Sequence, residues 1–361
     1  MIGERLRLAR KKAGLSLRAL SDAIDRKVSA QSIGKYERDE VMPPSDVLTA
    51  MCDALEVSLE YLLSNRVKQL RGVEFRKRSG TSVKDRSRVE ATVIERVERY
   101  LAIEELLELD SAEWHRPFEQ RRLASLDEAE DLAEELRAAW GLGLDPIPNL
   151  TELLEERGIK VLVIDLPERV SGLTCLVDRG DAQPPVPVIV VNEYFPLERR
   201  RFTLAHELGH RLIHEESSVD HEKASDRFAG AFLIHRDHLR VEVGAHRRQV
   251  SSPEILALKR IYRVSAAAML MRLKQIDVLS ESAVAYAFQT FARAWRRAEP
   301  EPIEELHAQK LEQPRRYDRL CFWALSERLI SPSKASELLQ IPYYELEKQL
   351  EGRPGHYENY R

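Results

Sequence analysis

The chain has few cysteines: three in 361 residues, Cys52, Cys175 and Cys321. They are odd in number, far apart, and show no C-x-x-C spacing. That excludes a disulfide framework and a thiolate metal site, and leaves three small apolar side chains in a reducing compartment. No apolar run approaches the roughly 18 residues that cross a bilayer, and the charged start has no signal-peptide core. A cytoplasmic protein without a membrane partner is expected. Net charge is also scarce: 56 Lys and Arg stand against 60 Asp and Glu, a formal −4. Attraction to nucleic acid must then come from a local patch and not from the whole molecule. There is no internal repeat. The length suffices for two or three domains.

What is present is concentrated in Arg201 to His214, RFTLAHELGHRLIH. On a helix, positions four apart lie one above the other, so His206 and His210 of His206-Glu207-Leu208-Gly209-His210 can share one metal ion. Glu207 lies beside them, placed to take a proton from water at that metal. A catalytic zinc needs a third protein ligand and an open fourth position. His214 is about 12 Å further along the helix axis than His206 and cannot converge on the same ion. The metzincin pattern is excluded because Ile213 and Glu216 stand where it requires glycine and histidine. Glu222 is the better third ligand. It opens Glu222-Lys223-Ala224-Ser225-Asp226, where two carboxylates one turn apart let Glu222 bind the metal while Asp226 accepts the N–H of a ligating imidazole.

HELGH followed by EKASDRFAGAFLI resembles the ImmA/IrrE family of zinc metallopeptidases, a gluzincin-like group. The likeness extends over residues 125–280, through LDEAEDLAEELRAAWGLGLDPIPNLTELLEERGIKVLVI before the site and LKRIYRVSAAAMLMRLKQIDVLS after it. His235 is a departure, standing where members usually carry proline. The resemblance implies Zn2+ held by His206, His210 and Glu222, Glu207 as general base, and cleavage of a repressor or other regulatory protein after a stress or mobile-element signal. His214, His235, His238 and Tyr194 are open candidates for stabilising the oxyanion.

Residues 1–64 read as five short helices, with Gly14 ending the first and Ser16, Ser29 and Ser58 placed as N-caps. The order LSLRALSDAI, DRKV, SAQSIGKYERDEVMPP resembles the Cro/CI-type (XRE family) helix-turn-helix. That resemblance implies a homodimer on a two-fold operator in double-stranded DNA, with the second helix of the motif in the major groove. Gln31, Ser32 and Lys35 are the exposed positions there, Gln31 placed for adenine and Lys35 for guanine or phosphate, and Arg5, Arg10, Lys11 and Lys12 would neutralise phosphates. The segment holds ten basic and ten acidic residues, so it is not basic overall.

Residues 65–124 read as a basic linker and an amphipathic helix. Nine basic residues stand against two acidic ones over residues 65–89, a local +7. This is either a phosphate-tracking arm or a solvated tether. Residues 90–109 form a helix with Val93, Val97, Tyr100, Leu101 and Leu107 on one side. Strands are expected at Lys160 to Ile164, Gly172 to Val177 and Val186 to Val191. Val188 to Asn192 is the candidate edge to which an extended substrate could add by main-chain hydrogen bonds. Residues 281–361 read as a helical C-terminal region, with a small tri-helical unit at residues 315–350 that could bind DNA, bind a partner or only cover the core. The fold class is mainly α with a small β-sheet (α+β). The functional expectation is a DNA-binding regulator carrying a zinc endopeptidase. The alternative is a non-proteolytic XRE-type regulator or antitoxin-like protein whose zinc domain is a sensor or scaffold.

Overall fold

The computed structural model describes residues 2–350 except 64–66, 68, 73–81, 110–113, 115, 180–182 and 304–310. The first five helices are α1 (Ile2–Lys12), α2 (Leu17–Ala23), α3 (Ala30–Glu37), α4 (Ser45–Leu55) and α5 (Leu59–Leu63). The expected caps form: the hydroxyls of Ser16, Ser29 and Ser58 accept from the backbone N–H of Ala19, Ser32 and Tyr61. Leu6, Ala9, Leu20, Ile33, Met51 and Leu62 are fully buried and close one core. Gly3 is required here: a Cβ would sit 2.5 Å from the carbonyl oxygen of Tyr36, where α1 crosses the end of α3.

A short strand, β1 (Gln69–Arg71), leads to a 24-residue helix, α6 (Val83–Leu106). Ser82 caps it, accepting from the N–H of Asp85 at 3.1 Å. Lys84, Arg86 and Arg88, read in sequence as part of the tether, therefore belong to the first turns of a helix. Of the remaining linker cations, Arg66, Lys68, Arg76, Lys77 and Arg78 lie outside the described residues. One face of α6, formed by Val89, Val93, Ile94, Val97 and Leu101, packs on a four-stranded sheet.

That sheet runs β1-β3-β4-β2, with β2 (Lys160–Ile164), β3 (Gly172–Asp178) and β4 (Val186–Asn192). β4 pairs antiparallel with β3 and parallel with β2. This corrects the expectation that Val188–Asn192 is an open edge. β4 lies between two partners, so both rows of its main-chain groups are paired, and its apolar run Val186–Val191 is buried as in an interior strand. The opposite face of the sheet receives α9 (Leu197–Leu212), which joins α7 (Leu126–Ala139), α8 (Leu150–Glu156) and α10 (His221–Leu233) around the main core. α11 (Arg236–Val243), α12 (Ser252–Tyr262), α13 (Ala266–Gln275) and α14 (Glu281–Gln289) complete that layer.

The tri-helical unit is α15 (Arg316–Ser326), α16 (Pro332–Leu339) and α17 (Tyr343–Leu350). Leu320, Cys321, Ala324 and Leu338 pack on Tyr100 and Ile103 of α6, so the unit covers that helix. The five-helix domain sits on α6 as well, from the α1 side. Arg5, 4% exposed, pairs with Glu98 and donates to the carbonyl of Val67, and Lys12 pairs with Glu95. α6 thus touches the N-terminal domain, the sheet and the C-terminal unit. No helix among the described residues is long and apolar enough to cross a membrane.

Candidate metal centre

Two helices build the site. α9 begins after Pro196, and its buried face includes Leu204, Leu208 and Leu212, which hold the helix in the core. His206, Glu207 and His210 ride on the same helix and are also buried, at 1%, 2% and 5% exposure. α10 crosses α9 closely because Gly209 has no side chain: a Cβ there would meet Phe228 at 3.1 Å and the Cα of Ser225 at 3.3 Å. That close crossing brings Glu222 and Asp226, one turn apart on α10, to the imidazoles of α9.

The Nε2 atoms of His206 and His210 are 2.9 Å apart. Glu222 places its carboxylate oxygens 3.6 Å from the first and 3.7 Å from the second. Bonds of about 2.0–2.1 Å in tetrahedral geometry would set three ligand atoms about 3.3 Å apart. The three side chains therefore fit a zinc-sized ion. The Glu222 side chain is 52% exposed, so the cluster is open on that side.

The outer nitrogens of both imidazoles are engaged in a way that places the lone pairs on the inner ones. His206 Nδ1 lies 2.7 Å from Asp226 Oδ1, and a carboxylate only accepts, so the proton sits on Nδ1. His210 Nδ1 lies 3.0 Å from Nδ1 of His221. His221 Nε2 faces the carbonyl of Ile213 at 3.2 Å and must donate to it, so its Nδ1 is an acceptor and His210 donates. Both metal-facing Nε2 atoms then carry a lone pair. Asp226 was legible from the motif, but His221 was missed. The only hint is a histidine directly before Glu222, and eleven residues with a loop separate it from His210.

Of the remaining candidates, His214, His235 and His238 hydrogen-bond other groups. His214 Nδ1 accepts from the N–H of Glu216. His235 caps α11, accepting from Asp237, and burial pushes its imidazole below the usual range. His238 pairs with the hydroxyl of Tyr262 at 2.6 Å, and Tyr194 is 71% exposed. Cys175, on β3 with Glu207 and Arg211 among its neighbours, is pushed up to about 12 by burial and remains a thiol. Gly172, at the start of β3, lies against α9: a Cβ there would come within 2.7 Å of the carbonyl oxygen of Val190 and 3.7 Å of Cγ of Glu207.

In the N-terminal domain, Gln31 and Lys35 are exposed on α3, and Ser32 is half-buried with its hydroxyl 3.0 Å from that of Ser29. The basic residues of α1 are placed differently from the sequence expectation. Arg5 and Lys12 face α6, as described above. Arg10 pairs with Glu37 through two nitrogens and donates to the carbonyl of Leu15. Lys11 is half-buried.

Comparison with known proteins agrees with this division. Residues 154–274 match the peptidase family model described as an IrrE N-terminal-like domain, and residues 6–62 match the model described as helix-turn-helix. The chain thus carries an XRE-type helix-turn-helix domain followed by an IrrE/ImmA-like peptidase domain. No curated protein matches the chain.

Proposed function

We propose that this protein is a DNA-binding regulator whose second domain is a zinc-dependent endopeptidase acting on another regulatory protein. The observation that carries this reading is the convergence of His206, His210 and Glu222 beside a buried Glu207, with one side open to solvent. Zinc, when bound there, supplies a Lewis acid that polarises the scissile carbonyl and acidifies water. Glu207 takes the proton of the attacking water and delivers it to the leaving amine. Asp226 and His221 keep the two imidazoles in the ligating tautomer.

The test starts with metal content. Purified protein holds about one zinc per chain and cleaves a co-expressed regulatory protein. His206→Ala lowers both, measured by elemental analysis and by the appearance of cleaved regulator. A zinc-free wild-type protein with full activity would end the proposal. His221→Ala lowers zinc affinity roughly 10–100-fold in chelator competition, the usual effect of removing a ligand's hydrogen-bond partner. His221→Asn, whose amide oxygen can accept the same hydrogen bond, recovers part of it. Equal affinities in all three proteins would show that His221 has no such role.

For the first domain we propose a homodimer on a two-fold operator, with half-sites about one helical turn apart. Gln31 and Ser32 carry the major-groove contacts, and Lys35 adds a cation at guanine or phosphate. Arg5, Arg10 and Lys12 hold the fold instead of the phosphates, because carboxylates of the same chain already neutralise them. Lys35→Ala therefore weakens binding and lowers the salt slope by about one, whereas Arg10→Ala leaves the slope unchanged. The reverse pattern in a salt titration would return the phosphate role to α1.

A further inference from the structure

A cavity of about 230 Å³ lies between α6, the outer edge of β2 and the C-terminal unit. It shares no lining residue with the metal centre. Val163 and Leu338 give it apolar walls, and Tyr100 and Tyr317 pack there with ring centroids 5.5 Å apart. Arg96 and Arg99, one turn apart on α6, bring two guanidinium groups to the same space. Arg96 donates to the carbonyl of Val163 at 2.9 Å, and Arg99 pairs with Glu95. A guanidinium has five N–H groups, so these contacts leave geometry for an added acceptor. Asp318 is the lining carboxylate, and burial pushes it up, toward the neutral form. Apolar walls with convergent cationic donors at the junction of structural units are the usual makings of a small-molecule site.

Glu95 gives the cavity a second connection. It is 4% exposed and holds two cations at once, Arg99 at the cavity and Lys12 of α1. We propose that the cavity binds a small organic anion, a monocarboxylate with an apolar body, whose carboxylate shares Arg99 with Glu95. Occupancy is then felt at the contact between Lys12 and α6. Scaled from a cavity of about 150 Å³ that holds benzene, the volume suits a ligand of about nine non-hydrogen atoms. The added negative charge draws Arg99 from Glu95 and leaves Glu95 freer to hold Lys12, so the helix-turn-helix domain docks more tightly.

Benzoate has this size and charge, and benzamide is its neutral counterpart. Titration of the full chain, followed by calorimetry, is expected to show saturable benzoate binding and benzamide binding at least about tenfold weaker, from the difference between a charge-assisted and a neutral hydrogen bond. Arg99→Gln weakens benzoate by roughly tenfold and leaves benzamide unchanged. Glu95→Gln tightens benzoate, because it removes the competitor for Arg99. Amide exchange in α1 slows when benzoate saturates the wild type. Absence of saturable binding, equal binding of benzoate and benzamide, or indifference to Arg99→Gln overturns the site. Unchanged exchange in α1 overturns the coupling. Arg99→Gln leaves the Lys12–Glu95 pair in place, so it carries the test even if Glu95→Gln fails to fold.

Discussion

Replacing Glu207 by Gln is expected to lower peptide-bond hydrolysis by roughly 10²–10⁴-fold while zinc content stays at the wild-type level. The substitution keeps the volume of a side chain that is 2% exposed and packed beside Gly172, so the helix has no reason to move. What it removes is a group able to accept a proton at neutral pH and return it to the leaving amine. The proposed ligands His206, His210 and Glu222 are untouched, so metal analysis and hydrolysis should separate. Measured cleavage of a co-expressed regulator is the check, with elemental analysis on the same preparation. Cleavage by the variant at the wild-type rate would remove Glu207 from the mechanism and leave a zinc fold with a sensing or scaffolding role. The same variant, if it holds substrate without cutting it, offers a way to capture the unidentified protein by pull-down.

The second large effect concerns the ion pair of Arg201 and Glu312. Both side chains are fully buried. Glu312 also accepts from the N–H groups of Leu150 and Thr151, at 3.0 and 2.8 Å, and so caps the start of α8 from 161 residues away. Arg201 in turn bonds the carbonyl of Ile147. Glu312→Ala leaves a guanidinium in the core without its carboxylate and two buried N–H groups without their acceptor, so it should cost about 3–5 kcal/mol. Urea unfolding measures it as a lower midpoint at an unchanged slope. A loss below about 1 kcal/mol would mean that the pair is hydrated or rearranges in solution. Replacing both partners with apolar residues should cost much less than the single change, because no buried charge is then left alone.

Local signals in this chain were strong where the chemistry depends on residues close in sequence. The i, i+4 spacing of His206 and His210 and the E-x-x-x-D pattern of Glu222 and Asp226 each lie within one helix, and the structure brings the two groups together as expected. The three main strands and the capping serines were legible for the same reason. Errors came where a residue's role depends on what lies across the fold. Val188–Asn192 reads as a strand in any case, but nothing local says how many neighbours a strand has. Arg5 and Lys12 read as a basic cluster on an exposed helix until α6 supplies Glu98 and Glu95. A cation's partner more than eighty residues away leaves no local trace.

By itself, the sequence determined the chemistry available to this protein. Periodicity and caps set the helices, and two short motifs carry the side chains proposed to hold a metal and to move a proton. Only the tertiary structure decided how these parts are joined. Close packing of α10 on α9 at Gly209 assembles the site, the order of the strands closes β4, and α6 becomes the common support of three units. The division follows from range: hydrogen bonds and side-chain spacing within a helix act over a turn or two, whereas burial and ion pairing act between whichever segments the folded core brings into contact.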